Sequence, residues 1–326
     1  MSYPLQYFRL TIGNTDCNVI ASSSSISVSR NTGKPIEKWY LNYMKENVFQ
    51  IVNASNNKAI TSSENSVTLS DINNSESQNF KIEGVEKDYE RYYLYYKITS
   101  DSDSSKALTY SVDSGFSLEE YSGDILQKYK LNLDGLEGFA ANCTTTLGEK
   151  AGTIGGLLGP TIIANTMQEF MKEMNSEGPK TIVLNVNVDM KMEKNTRVRD
   201  YKTIVGSYKY KTIYDCRIRS NDELGRDNPS DNIIFRNLDI QAREDGSRTL
   251  LSFYSSPNIW FDHINFNSTI QYDRKINGQD NEGKFVWVNT LFANCPDSKD
   301  IDRTPDYYTV SYCKFTNKYW CFRNSK

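Results

Sequence analysis

The chain has 326 residues, and 38 Lys and Arg against 41 Asp and Glu leave a net charge of −3. That mildly acidic balance lacks the basic stripe of a nucleic-acid binder, so no nucleic-acid partner is expected. A single histidine, His263, excludes any His pair or three-His zinc site, and the length suits two domains that fold without disulfides or metals.

The 22 Tyr, the 14 Phe and the recurring Ser, Thr and Asn favour strands and turns over helices, so an all-β chain is expected. The opening MSYPLQYFRL has no basic segment followed by an apolar core, so no signal peptide is visible. The protein either stays inside the cell or begins after processing. Asn-X-Ser/Thr triplets at Asn53, Asn73, Asn142 and Asn267 hint at a secreted life. The stretch from Ile154 to Ala164 is broken by Gly155, Gly156, Gly159 and Pro160 and is too short to span a membrane. Six cysteines without a CxxC pair give no zinc or redox motif and leave one or two disulfides open.

Residues 1–133 repeat themselves three times. One segment type reads FRLTIGNTDCNVIAS from Phe8, FQIVNASNNKAITSS from Phe49 and YKITSDSDSSKALTY from Tyr96. Each is a strand, a polar turn and a second strand. In the other type, Val28 to Trp39, Leu69 to Phe80 and Leu118 to Tyr129 are each 11 residues apart. No single copy can bury its apolar face, but three around a pseudo-threefold axis share one core. The expected fold is a β-trefoil anchored on Trp39, Phe80 and Tyr129. The pattern resembles the ricin-type lectin trefoil, whose units end in Gln-x-Trp. Here Gln78-Asn-Phe80, Gln127-Lys-Tyr129 and Glu37-Lys-Trp39 are degraded forms of it. The resemblance implies carbohydrate binding through a short Asp-bearing loop, and Asp16, Asn56 and Asp101 stand in such loops. The plainer reading makes them ordinary polar turn residues.

Residues 133–159 are Gly- and Thr-rich and read as a loop. A helix follows, with Asn165 as its cap and Gln168 three residues on. Ile162, Ile163, Met167, Phe170, Met171 and Met174 fall on its apolar face, and Gly178-Pro179 ends it. TIVLNVNVDM then alternates with period two, placing Ile182, Leu184, Val186 and Val188 together. Similar strands return as KTIYDCRI, NIIFRNLDI, NIWFDHINF and YYTVSYCKF, aligned on Ile218, Ile240, Phe266 and Phe315 at intervals of 22, 26 and 49 residues. Such spacing is that of a coiled solenoid, with the amphipathic helix covering its open first coil.

The half from 134 to 326 resembles the family 1 polysaccharide lyases, the pectate lyases. The likeness rests on EGFAAN with TIGGLLG, on KTIVG (Lys202 to Gly206), on NIIFRNLDI, and on SPNIWFDHINF followed by YYTVSYCKF. It implies a right-handed parallel β-helix with an N-terminal capping helix, acting outside the cell as a monomer on pectin or another plant cell-wall polysaccharide, with no membrane partner. It also implies β-elimination: an Arg base, supported by a Lys, removes the C5 proton while Ca²⁺ on Asp and Glu oxygens holds the uronate carboxylate. Carried over position by position, the first metal pair falls on Ser247 and Thr249, with Asp245 nearby. In the second pair Asp300 matches, while its companion position is Pro296, beside Asp297. The supporting Lys falls on Trp320, with Lys318 two residues upstream, and Arg323 does not match the catalytic Arg. Asp300 is thus the one metal ligand retained, and a solvated loop carboxylate is its plainer reading. His263 and Asp262 are framework residues in the family reading. The family's coils normally continue beyond a point such as Lys326, so the expectation is either a missing C-terminal remainder or a fragment that has lost its active cleft. Two functions follow: a pectin-directed lyase with a glycan-attaching trefoil, or a glycan-binding protein whose lyase half no longer cleaves.

Overall fold

The computed structural model describes residues 6–88, 92–141, 143–144, 150–191, 196–207, 210–220, 230–243, 249–254, 256, 258–268, 289–294, 308–316 and 320–325. Leu5–Pro160 form one compact unit and Thr161–Lys326 another. Strands dominate the described residues of both.

The first unit holds three four-strand copies. They are β1 (Phe8–Ile12), β2 (Cys17–Ala21), β3 (Ile26–Arg30) and β4 (Trp39–Lys45); β5 (Val48–Asn53), β6 (Lys58–Ser63), β7 (Ser66–Asp71) and β8 (Phe80–Asp88); and β9 (Tyr92–Ser100), β10 (Lys106–Ser111), β11 (Gly115–Glu120) and β12 (Tyr129–Leu133). In every copy the first strand pairs with the fourth, through Phe8 and Trp39, Phe49 and Phe80, and Tyr96 and Tyr129. The copies join through β4–β5, β8–β9 and β12–β1, closing a ring of six strands. The hairpins β2–β3, β6–β7 and β10–β11 stand off that ring. This is the β-trefoil, and closure removes the sheet edges. The anchors expected from the 11-residue spacing, Trp39, Phe80 and Tyr129, are each 0% exposed. Trp39 Nε1 donates to the Val19 carbonyl at 2.9 Å and the Tyr129 hydroxyl to that of Leu108 at 3.1 Å. Val19 and Leu108 hold the same place in their hairpins, opposite Val28 and Leu118.

Residues 134–160, expected to open the second half, group with this first unit. The Asp134 N–H donates to the Tyr7 carbonyl at 2.8 Å, and Ile154 and Leu157 are buried. The stretch is more than a loop: a 3-10 turn at Phe139–Ala141 is followed by a short hairpin of β13 (Cys143–Thr144) and β14 (Lys150–Ala151).

The second unit begins with β15 (Thr161–Ala164), the helix α1 (Met167–Met174), β16 (Lys180–Leu184), β17 (Val188–Asp189) and β18 (Thr196–Arg197). It continues with β19 (Lys202–Gly206), β20 (Lys211–Tyr214), β21 (Ile218–Arg219), β22 (Ile233–Ala242), β23 (Thr249–Tyr254), β24 (Ile259–Ser268), β25 (Asn289–Asn294), β26 (Tyr308–Ser311), β27 (Lys314–Phe315) and β28 (Trp320–Ser325). Every described pairing here is parallel. β15, β16, β19, the first half of β22, the first half of β24 and β26 make one column. β17, β20 and the second halves of β22 and β24 make a second, with β27. β18, β21, β23, β25 and β28 make a third. The chain visits the columns in rotation.

Inward residues pile along each column. Phe235 and Phe261 stack at 5.5 Å and Phe266 and Phe315 at 4.9 Å. The column expected through Ile240, Phe266 and Phe315 is present, but its earlier member is Ile213, not Ile218. The chain turns at Asp215, whose φ is 47°, so Ile218 lies past the corner and pairs with Thr196 and Leu251 in the third column. Strand corners repeat in register too: Asn237, His263 and Tyr312 all have φ near 50°. Gly206 holds that place one strand earlier, where a Cβ would lie 2.0 Å from the Asn237 carbonyl oxygen.

The helix also departs from expectation. Thr166, not Asn165, is the cap: its hydroxyl accepts the Glu169 N–H at 3.1 Å, and the Glu169 carboxylate accepts the Asn165 N–H at 2.7 Å. A carboxylate suits the positive helix N-terminus better than the Gln168 amide does. Ile162 and Ile163 lie in β15 instead, in register with Ile182 and Val183, where β-branched residues pack well. Phe170 and Met174 are buried against Ala164, Ile182 and Leu184. Among the described residues no helix is long and apolar enough to cross a membrane.

Candidate functional site

The four motif strands of the second half are neighbours in space: Lys202–Gly206, Ile233–Ala242, Ile259–Ser268 and Tyr308–Ser311 are successive members of the first column. Register sets Arg236, Asp262 and Ser311 side by side on one face. Asp262 Oδ2 meets Arg236 Nε at 2.9 Å. Asp262 Oδ1 accepts the Ser311 hydroxyl at 2.9 Å and lies 2.8 Å from His263 Nδ1. Trp260 Nε1 donates to Ser311 Oγ at 2.8 Å, and the Arg236 guanidinium lies over the Trp260 ring at 5.3 Å. His263 stacks on Tyr312 at 4.8 Å. Asp262 is 1% exposed and ties three rungs together. Its partners lie on the strands either side of it and on its own strand.

A second ionic cluster stitches the next column. Arg243 reaches Asp215 at 2.9 Å and Asp189 at 2.6 Å and lies over the Tyr214 ring. Hydrogen bonding from Arg243 holds the Asp189 carboxyl below its usual range. Lys202 is fully buried, and its ammonium donates to the carbonyls of Gly178 and Asp200. Burial first, then the nearby Lys180, lowers its pKa to about 8. Its place along the column is that of Ile233.

Calcium needs a converging set of carboxylate and carbonyl oxygens. Among the described residues no group of three His, Cys, Asp or Glu converges. Of the buried carboxylates in this unit, Asp215 and Asp262 each face an arginine, and Asp231 belongs to no such group of three. The described residues therefore do not fit the ion. Asp300, Asp245, Ser247, Pro296, Asp297 and Lys318 lie outside the described residues.

The trefoil presents a cleft of about 610 Å³. Arg9, Asp16, Asn18, Arg30, Lys130 and Asn132 line it. A chain of hydrogen bonds forms its floor. Asn132 Nδ2 donates to Thr11 Oγ1 at 2.7 Å, Thr11 Oγ1 to Asn18 Oδ1 at 2.7 Å, and Asn18 Nδ2 to Glu37 Oε2 at 3.3 Å. Arg9 approaches Glu37 at 4.0 Å and Asp134 at 3.8 Å. Of the three loop residues singled out from sequence, only Asp16 reaches this cleft. Asn56 bonds the Ser22 carbonyl and the Lys58 N–H, and Asp101 pairs with Lys45 at 2.9 Å, so both are turn residues. The sequence reading missed the other lining residues, although a position-by-position comparison of the three copies would have exposed them.

Comparison with known proteins finds distant lyase relatives. A pectin lyase of Bacillus subtilis is 27% identical over 188 residues, 56% of this chain and 48% of that protein. A pectate trisaccharide-lyase of Thermotoga maritima is 29% identical over 188 residues, 55% of this chain and 42% of that one. A pectin lyase of Pseudomonas marginalis is 26% identical over 198 residues. The chain spans about half the length of these relatives. No protein-family model matches. Among solved structures, a designed threefold-symmetric protein covers 38% of this chain at 17% identity and TM-score 0.33. The BEL β-trefoil covers 41% at 12% identity and TM-score 0.34. The chain carries a lyase-like region and a β-trefoil.

Proposed function

We propose that the protein is directed at pectin or polygalacturonate outside the cell, acting as a monomer. In this reading the unit from Thr161 is a parallel β-helix of the pectate-lyase kind, and the trefoil attaches the chain to glycan. The observation that carries it is the rotation of the chain through three parallel columns in which all four motif strands are consecutive. Identity of 27–29% to pectin and pectate lyases over about 188 residues supports the same reading. Attachment to an insoluble polymer raises the local concentration of cleavable chain around the lyase unit.

The reaction proposed is β-elimination: the C5 proton next to the uronate carboxylate goes to a base, the C4–O bond breaks, and the leaving oxygen takes up a proton. The product carries a C4–C5 double bond. In the described part of the unit, Arg236 and Arg243 are committed to Asp262, Asp189 and Asp215, so these arginines hold rungs together rather than supply the base. That same observation favours a second reading, in which the unit binds pectic glycan without cutting it. Ultraviolet absorbance of polygalacturonate incubated with the chain, with and without added calcium, separates the two. Rising absorbance from unsaturated ends is the result expected of a lyase. Retention on a polygalacturonate column with no absorbance change would overturn cleavage and leave binding.

A further inference from the structure

The three trefoil copies serve as internal controls for one another, and the cleft lies where they differ. At the paired positions joining first and second strands, copies two and three carry Val52 with Ala59 and Thr99 with Ala107. Copy one has Thr11 with Asn18, both hydrogen-bonded. At the last position of the third strand, copies two and three carry carboxylates, Asp71 opposite Lys58 and Glu120 opposite Lys106. Copy one reverses the charge: Arg30 stands opposite Cys17. All three positions are exposed, so packing fixes none of them, and the reversal sets a cation at the cleft in copy one alone. Among the described residues no carboxylate pairs with Arg30, and Arg30 lines the cleft together with Lys130.

We propose that this cleft binds a carboxylate-bearing sugar, a uronate unit of an acidic polysaccharide. The proposal rests on the pectin-directed reading above and names the ligand of its attachment module. A guanidinium pairs a carboxylate through two parallel N–H donors, and Lys130 adds a second positive charge from β12. The amide and hydroxyl groups of Asn18, Asn132 and Thr11 floor the cleft, and Asp16 at its wall accepts from sugar hydroxyls. A volume of about 610 Å³ falls within the range of about 300–1,000 Å³ usual for small-ligand sites.

The test is calorimetric titration of the full chain with trigalacturonate and with its methyl ester, in a divalent-cation chelator that holds off metal-dependent binding elsewhere. The acid is expected to bind, and the ester about tenfold more weakly or worse. Arg30→Asp, which installs the residue type of the other two copies at an exposed position, should lose about tenfold or more with an unchanged melting curve. Equal binding of acid and ester, an Arg30→Asp variant that binds as before, or no binding at all would overturn the proposal. Product release from polygalacturonate, measured separately, keeps the two readings apart. Release that persists in Arg30→Asp while chelator-stable binding is lost supports this site and leaves cleavage standing. Binding without any release removes cleavage alone.

Discussion

Replacing Glu37 by Gln should stabilise the trefoil by about 1 kcal/mol. Gln78 and Gln127 occupy the same place in the other copies, each ending a 3-10 turn two residues before the aromatic anchor. Their side-chain oxygens accept the N–H of Asn73 at 2.9 Å and of Ser122 at 2.8 Å. Their amide groups donate to the carbonyls of Asp71 and Glu120, both at 2.9 Å. Glu37 repeats the first interaction, with Oε2 accepting the Thr32 N–H at 3.0 Å. Its other oxygen is buried with no hydrogen-bond partner, and its nearest cation is Arg9 at 4.0 Å. The equivalent carbonyl in this copy belongs to Arg30. An amide there gains a hydrogen bond of about 0.5–1.5 kcal/mol and removes an unsatisfied buried acceptor costing about 1–3 kcal/mol. Against this stand the loss of a long, partly exposed ion contact of about 0–1 kcal/mol and the weakening, by about 1 kcal/mol, of the bonds that the charged Oε2 accepts from the Thr32 N–H and Asn18 Nδ2, which leaves a net gain of about 1 kcal/mol. The net rise in melting temperature is about 3 °C for a unit of this size. Trp39 is the only tryptophan between residues 5 and 160, so ¹⁹F NMR of fluorotryptophan-labelled protein follows this unit alone through urea unfolding. A Glu37→Gln variant no more stable than the parent would refute the reasoning.

Three further outcomes concern the second unit. Asp262→Asn removes the partner of Arg236 and should cost about 3 kcal/mol in denaturant unfolding, the low end for a broken buried pair because Arg236 is 26% exposed. Gly206→Ala forces a Cβ against the Asn237 carbonyl and should cost about 1–3 kcal/mol or prevent folding, read by thermal unfolding; an unchanged transition contradicts the corner geometry. The lowered pKa of Lys202 means that the unfolded chain binds more protons than the folded one between about pH 8 and 10.5. Stability should therefore rise with pH across that window in the parent relative to Lys202→Met, as urea midpoints at pH 7.5, about 9 and 10.5 would show.

What the sequence made legible was whatever repeats. The 11-residue spacing gave Trp39, Phe80 and Tyr129 as equivalent anchors, and all three are fully buried. The column through Ile240, Phe266 and Phe315 was readable because each strand keeps the same apolar phase. Corners were not readable. Nothing in KTIYDCRI announces a left-handed Asp215, so the sequence points to Ile218 as the neighbour of Ile240 where Ile213 stands. The helix began later than its apolar stripe because Ile162 and Ile163 satisfy a parallel strand equally well. The cleft escaped notice for the opposite reason. Its residues, Thr11, Asn18 and Arg30, are where the copies disagree, and aligning repeats rewards agreement.

The parallel stacking of the second unit is tested most directly by a cross-link between rungs. Asn265 and Lys314 are in-register neighbours on adjacent parallel strands. Such neighbours lie about 4.8 Å apart, within disulfide reach. In a Cys313→Ser background, oxidised Asn265→Cys/Lys314→Cys protein should yield a bridged peptide by mass spectrometry, while Asn265→Cys/Val310→Cys should not. No bridge in the first pair, or equal bridging in both, would contradict the stacked columns and with them the proposed pectate-lyase-like fold of this unit.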